Sequence, residues 1–422
     1  MFLTAAWLKP THPQPFGMRA MPPAAVGAVW PPFSSWLLLA LIVAKPLSDA
    51  LYEIDAVKYL YIMLLAAGAL LARVGHAFGR DGADSRNRQL VAYVFLLVGY
   101  FYYLFGGALV HGGSLSAIFK IVSPFAFFAL VAFANDRWLI HALAAAAVLA
   151  IVVNAALLPF DFGWTQWGSA RTFKGYYFFK TDLAYALVFS LLVAAFYFRN
   201  RITPLLGVLM LLTAVQVVFA NSRLNYVTLL CVFLFLGIKQ GLGVRLLLGY
   251  GALVAVLAGV VMVAVDPSQL LGFDTSDMRS FSQGRSDIWA SLWAGIQNFT
   301  AREWLFGQGF FADSRLVAEY SRAGQDIHNA HNELLHLLAT QGIVGLCVYI
   351  GLWVWMYRMC RPRQMPAWAR GTLLTAVLVF AFQGVTTVMS PFATKTWPLV
   401  MVFLAVRCLD LSSPGTDVRA AT

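Results

Sequence analysis

Apolar residues fill this chain in long blocks, separated by short polar seams. A helix needs about 20 mostly apolar residues to cross a bilayer. Twelve such blocks occur, centred on 28–44, 57–72, 90–110, 114–134, 138–158, 181–198, 203–220, 224–239, 246–265, 332–357, 371–389 and 393–409. Pro31 and Pro32 interrupt the start of the first. The pattern predicts an all-α integral membrane protein of about twelve transmembrane helices. It divides into an N-terminal tail (1–27), helices one to nine (28–265), a large loop (266–330), helices ten to twelve (331–411) and a C-terminal tail (412–422). The first tail is Pro-rich and lacks the short apolar core and cleavage site of a signal peptide.

Composition agrees with the pattern. Of 422 residues, 60% are hydrophobic and 12% charged, with a mean hydropathy of +0.72. A soluble chain carries roughly 25% charged residues, so a soluble enzyme, a disordered chain and a DNA-binding domain are excluded. The formal charge of +11 then points to cytoplasmic loops and not to nucleic acid. With both ends in the cytoplasm, 17 of the 30 Lys and Arg fall on that side and 12 on the other. Five of those 12 lie in the one long loop, where the rule barely counts, and Lys120 lies inside a span. Cys231, Cys347, Cys360 and Cys408 sit in or beside apolar blocks, with neither a disulfide nor a zinc spacing.

The loop 266–330 is external in this orientation and far longer than a simple connection. It is rich in Trp and Phe. Ile288, Trp289, Leu292, Trp293 and Ile296 recur at the spacing of one face of an amphipathic helix. Such a helix would lie over the outer mouth of the bundle or at the membrane interface.

Cations gather on the same outer side. Arg223 stands at the junction of two spans and Arg285 opens the loop helix. Arg171, Lys174 and Lys180 lie on the shorter external loop 159–180, and Lys120 lies about two turns into its span. Together they suggest a polyanion site at headgroup level, since Arg offers a planar fork of donors that suits phosphate. The plainer reading makes several of them interface anchors. His328 and His331 run into span ten, three residues apart. They admit three readings: a metal site completed by Asp326 or Glu333, a general base at a helix N-terminus, or polar caps of a span. His336 falls on another helical face and reads as packing. Asp274 and Asp277 lack a third carboxylate and read as solvated loop. Gly342 and Gly345 would let another helix approach closely.

Three motifs in order resemble one known family. His331-Asn332-Glu333-Leu334-Leu335 followed by Gly342 and Gly345 looks like the His-Asn and Gly-x-x-Gly signature of the O-antigen ligase and polymerase superfamily. Gly284-Arg285, Trp289, Phe299 and Leu305-Phe306-Gly307-Gln308-Gly309 resemble its loop signature. Asn221-Ser222-Arg223 resembles its Ser-Arg at an outer span end. The motifs cover residues 215–350, and the twelve-span layout with a large loop between spans nine and ten extends the likeness over the chain. Arg171-Thr172-Phe173-Lys174-Gly175 is similar to the family less distinctively.

The resemblance implies a glycosyltransferase of a bacterial inner membrane, with its large loop and its site facing the periplasm. Its donor would be a glycan on undecaprenyl diphosphate, its acceptor lipid A-core (a ligase) or another lipid-linked repeat unit (a polymerase). It implies neither metal nor other cofactor. His331 would be the base and Arg223 and Arg285 the diphosphate stabilisers, with Arg171, Lys174, Lys180, Lys120, His328 and Asn332 binding substrate. The residues fit this chemistry: a departing diphosphate needs fixed positive charge, and a sugar hydroxyl needs a base. The competing classes are a transporter, which would favour repeated halves and mid-membrane charges, and a structural membrane scaffold.

Overall fold

The computed structural model describes residues 31, 33–51, 54–77, 85–134, 136, 138–167, 170–239, 285–320, 330–361, 365–390 and 393–411. Both tails, the ninth apolar block (246–265), His328, and the Asp274 and Asp277 pair lie outside the described residues. The other blocks carry α1 (Phe33–Val43), α3 (Asp55–Ala77), α4 (Ser85–His111), α5 (Leu115–Ala134), α6 (Leu139–Ala156), α7 (Lys180–Tyr197), α8 (Pro204–Phe219) and α9 (Arg223–Lys239). They continue with α13 (Glu333–Cys360), α14 (Ala367–Thr386) and α15 (Ala393–Leu411). A short α2 (Lys45–Ala50) follows α1. Three more helices precede α13: α10 (Arg285–Gln297), α11 (Ala301–Phe306) and α12 (Ala312–Tyr320).

Among the described residues, six helices are long and apolar enough to cross a membrane: α4 from Arg88, α5, α6, α7, α13 and α14. Four shorter apolar helices accompany them. The protein is therefore a helical, multi-pass membrane protein, while the number twelve remains a reading of the sequence. Among the described residues, one departure from an all-helical fold occurs. In the 159–180 loop, β1 (Trp164–Trp167) pairs antiparallel with β2 (Ala170–Phe173). Trp164 packs edge-on against Phe173 and against Phe219 of α8, which seats the hairpin on the bundle.

Helix α7 lies at the centre. It is apolar on every face, and its residues from Asp182 to Phe196 are nearly all buried, as a helix without a polar stripe must be. It packs against α6, α8, α9, α14 and α15. Helices α3 and α4 lie outside, with Met63, Phe95 and Leu109 about 70% exposed. Apolar side chains facing outward suit hydrocarbon, and backbone polar groups satisfied within helices suit it too.

Between helices, buried polar side chains make the specific ties. Asn200 donates to the Trp368 carbonyl and to Thr372, joining the end of α7 to α14 at one end of the bundle. Gln383 donates to Asn225 at 2.7 Å, joining α14 to α9 near the other end. Such hydrogen bonds hold helices together where the hydrophobic effect does not act between them.

Candidate active site

The starts of α7, α13 and α15 lie at one end of the bundle with α10, α11 and α12. Here α13 is not one continuous helix. Gly342 has φ +64 and ψ −170, which interrupts the helical hydrogen-bond ladder. The break frees carbonyls above it. The Ala339 and Thr340 carbonyls accept instead from the N–H groups of Gln308 (2.9 Å) and Gly309 (3.0 Å). The Gln341 carbonyl accepts from Tyr103 of α4. A capping box on Thr300 and Glu303 starts α11, and Gln308 donates to the Glu303 carboxylate at 2.9 Å. This aims the α11–α12 turn at the kink. The close approach expected at Gly342 is thus made by this turn, while at Gly345 the Tyr103 ring of the membrane helix α4 lies 3.1 Å from where a Cβ would stand. Beside it a cavity of about 670 Å³ opens, lined by Tyr102, Tyr103, His111, Arg302, Glu303 and Phe310 among others.

His331 stands just before α13. Asn332 caps that helix, its side chain accepting the Leu335 N–H at 3.0 Å and donating to the Val385 carbonyl. His331 has φ +47, a left-handed backbone that disfavours most side chains by about 1–2 kcal/mol. The expected helical face shared by His328 and His331 is therefore not continued at His331, because the helix begins only at Glu333. Burial, then the charges of Arg285 and Lys395, push the His331 imidazole down to about 4, against a smaller opposing pull from Asp313. The ring is neutral at physiological pH.

Sequence spacing anticipates only part of what surrounds His331. Glu333 is no metal-ligand candidate in this fold. Its buried carboxylate accepts the Met389 and Ser390 N–H groups at 2.6 and 3.0 Å, pinning the α14–α15 turn. His336 does more than pack: its Nδ1 lies 2.8 Å from Asp313 Oδ2 on α12. Burial pushes the Asp313 carboxyl up, but His336 and the Ala330 and Ser314 N–H groups outweigh it and hold it below the usual carboxylate range. Lys395 is buried at the start of α15, 3.6 Å from Asp182 of α7 and donating to the Val388 carbonyl. In the sequence Lys395 is only one more external cation. Nothing in it announces a partner on so distant a helix.

The remaining candidates occupy several places. Arg285 starts α10, and its charge reaches His331. Arg223 starts α9. Arg171 pairs on the surface with Asp161, in the turn that leads into the hairpin, and lies over the Trp164 ring. Lys174 Nζ lies 5.9 Å from the Phe162 ring centre. Lys180 opens α7. Lys120 is exposed on α5, as a snorkelling anchor is. Among the described residues, no three His, Cys, Asp or Glu side chains converge as metal ligands.

No curated protein matches the chain. Members of the O-antigen ligase family are glycosyltransferase-type enzymes that act on lipid-linked glycans. Residues 208–350, from α8 to beyond the kink of α13, match the O-antigen ligase family model, and through them this chain resembles the O-antigen ligase and polymerase superfamily.

Proposed function

We propose that the protein transfers an O-antigen-type glycan from undecaprenyl diphosphate to lipid A-core, on the periplasmic face of a bacterial inner membrane. The observation that carries this reading is the match of residues 208–350 to the O-antigen ligase family model, with His331 placed just before α13 within reach of the charges of Arg285 and Lys395. His331 takes the proton of the acceptor sugar hydroxyl. That oxygen attacks the anomeric carbon as the bond to the diphosphate breaks on the opposite face, inverting the centre. Arg285 and Arg223 stabilise the charge that builds on the leaving diphosphate, so no metal is required.

The free protein holds His331 too acidic to be a strong base, since a base works best with a pKa near the working pH. A bound diphosphate offsets the two cations that depress it. The donor thereby raises the proton affinity of the group that must act next. A deletion strain tests the function. Loss of long glycan from lipid A-core, with lipid-linked polymer accumulating, is the expected result. Caps of a single repeat unit would indicate a polymerase instead, and an unchanged glycan profile would remove both.

A further inference from the structure

The residue before His331 is held in an unusual way. Ala330 is fully buried, and both polar groups of its backbone bond to side chains. Its carbonyl accepts the Trp289 indole N–H at 3.1 Å, from α10. Its N–H donates to Asp313 Oδ2 at 3.0 Å, from α12. The same Asp313 oxygen accepts from His336 of α13 at 2.8 Å. Helices α10 and α12 therefore hold Ala330 directly, through the two peptide units that flank its Cα, and α13 holds Asp313.

We infer that Trp289 and Asp313 are positioning residues that clamp Ala330 from two sides and so fix His331 against Arg285. The inference rests on the reading of His331 as the base. Three facts carry it. The left-handed backbone of His331 is a conformation that persists only where neighbours over-determine it. Arg285 and Trp289 are four apart on α10, so they share one helical face. One helix thus sets both the cation and the peptide that carries the base. His336, through Asp313, ties the clamp to the upper segment of α13, where the Asn332 cap starts the helix. A base displaced by about 1 Å loses up to a hundredfold in rate, so such a clamp acts on turnover.

The test uses the full-length protein in lipid vesicles, with an undecaprenyl-diphosphate oligosaccharide as donor and lipid A-core as acceptor. Trp289→Phe keeps the ring and removes the N–H. Asp313→Ala removes both acceptor bonds, and Asp313→Asn keeps an acceptor oxygen. Trp289→Phe and Asp313→Ala should lower kcat about tenfold or more, with donor Kd within about twofold. Asp313→Asn should recover most of the Asp313→Ala loss. In a His331→Ala background, neither substitution should slow the residual rate further. An unchanged kcat in both variants overturns the inference. So does a loss confined to donor affinity, or one that persists at full size without His331, which marks a merely structural role. Where Asp313→Ala does not accumulate, Trp289→Phe decides alone. A fully active His331→Ala protein would instead remove the base itself, and the proposed mechanism with it.

Discussion

Gly307 and Gly342 meet backbone to backbone. A Cβ on Gly342 would lie 2.5 Å from the Gly307 nitrogen, and a Cβ on Gly307 2.5 Å from the Gln341 nitrogen. Both residues have φ near +70 with an extended ψ, a region that is essentially glycine-only. Gly342→Ala should therefore destabilise the protein by about 2–6 kcal/mol, combining backbone strain with overpacking. Gly351→Ala, where nothing lies within 4 Å of the new methyl, is the matched control. Thermal unfolding in detergent measures both. Equal melting temperatures for the two variants would contradict the interlock.

The acidity of His331 predicts a particular pH profile. Burial first, then Arg285 and Lys395, lower it from 6.5 to about 4. Protonation disables a base, so activity falls as pH falls. For kcat/KM, which reports the free enzyme, the acid limb should lie near about 4, with a plateau above about pH 5. For kcat, which reports the donor complex, the limb should lie higher, because bound diphosphate favours the imidazolium. Limbs that coincide near the ordinary histidine value would show that neither burial nor the cations act on the working base.

Arg285 and Arg223 should not tolerate lysine. Lysine keeps the charge and loses the planar fork. Removing one preorganised donor of this type costs roughly a hundredfold to a thousandfold in rate. Transfer assays on Arg285→Lys and Arg223→Lys should show losses of that order. Near-full activity in both would mean that simple attraction suffices.

Membrane orientation gives a separate check. The charge count places the loop that contains Glu319 outside and Gln364 inside. Single cysteines at these two positions, in a version lacking the four native ones, should differ in labelling by an impermeant thiol reagent on spheroplasts. Labelling of the Gln364 position alone would invert the topology and move the site to the cytoplasm.

Sequence reasoning reaches some of this architecture and not the rest, for physical reasons. Span positions are local information, because twenty apolar residues announce themselves. His331, Arg285, Gly342 and the Leu305–Gly309 turn are legible as ordered motifs, but not as one contact. The hairpin at Trp164–Phe173 escapes, because four-residue strands carry too little alternation to read. Asp313, Glu333, His336 and Lys395 take their roles from partners far away in sequence: Asp313 from His336 across 23 positions, Glu333 from Met389 across 56. Glu333 beside His331 resembles a metal ligand on spacing alone. Only the fold shows its carboxylate already filled by backbone N–H groups.

The break at Gly342 also divides labour along α13. Below it, Ile343, Ile350 and Val354 are each more than 40% exposed and meet the lipid. Above it, Leu337, Ala339 and Thr340 are buried and their backbone is stitched to the α11–α12 turn. A helix adapts to a thicker or thinner bilayer by changing tilt, and an unbroken rod would carry that tilt straight to its tip. The consequence expected of the break is that a change in lipid chain length tilts the lower rod while the tip, held by the α11–α12 turn, keeps the histidine in place. Turnover in vesicles of short-chain and long-chain lipids should accordingly differ little, and a steep dependence would show that the joint is stiff.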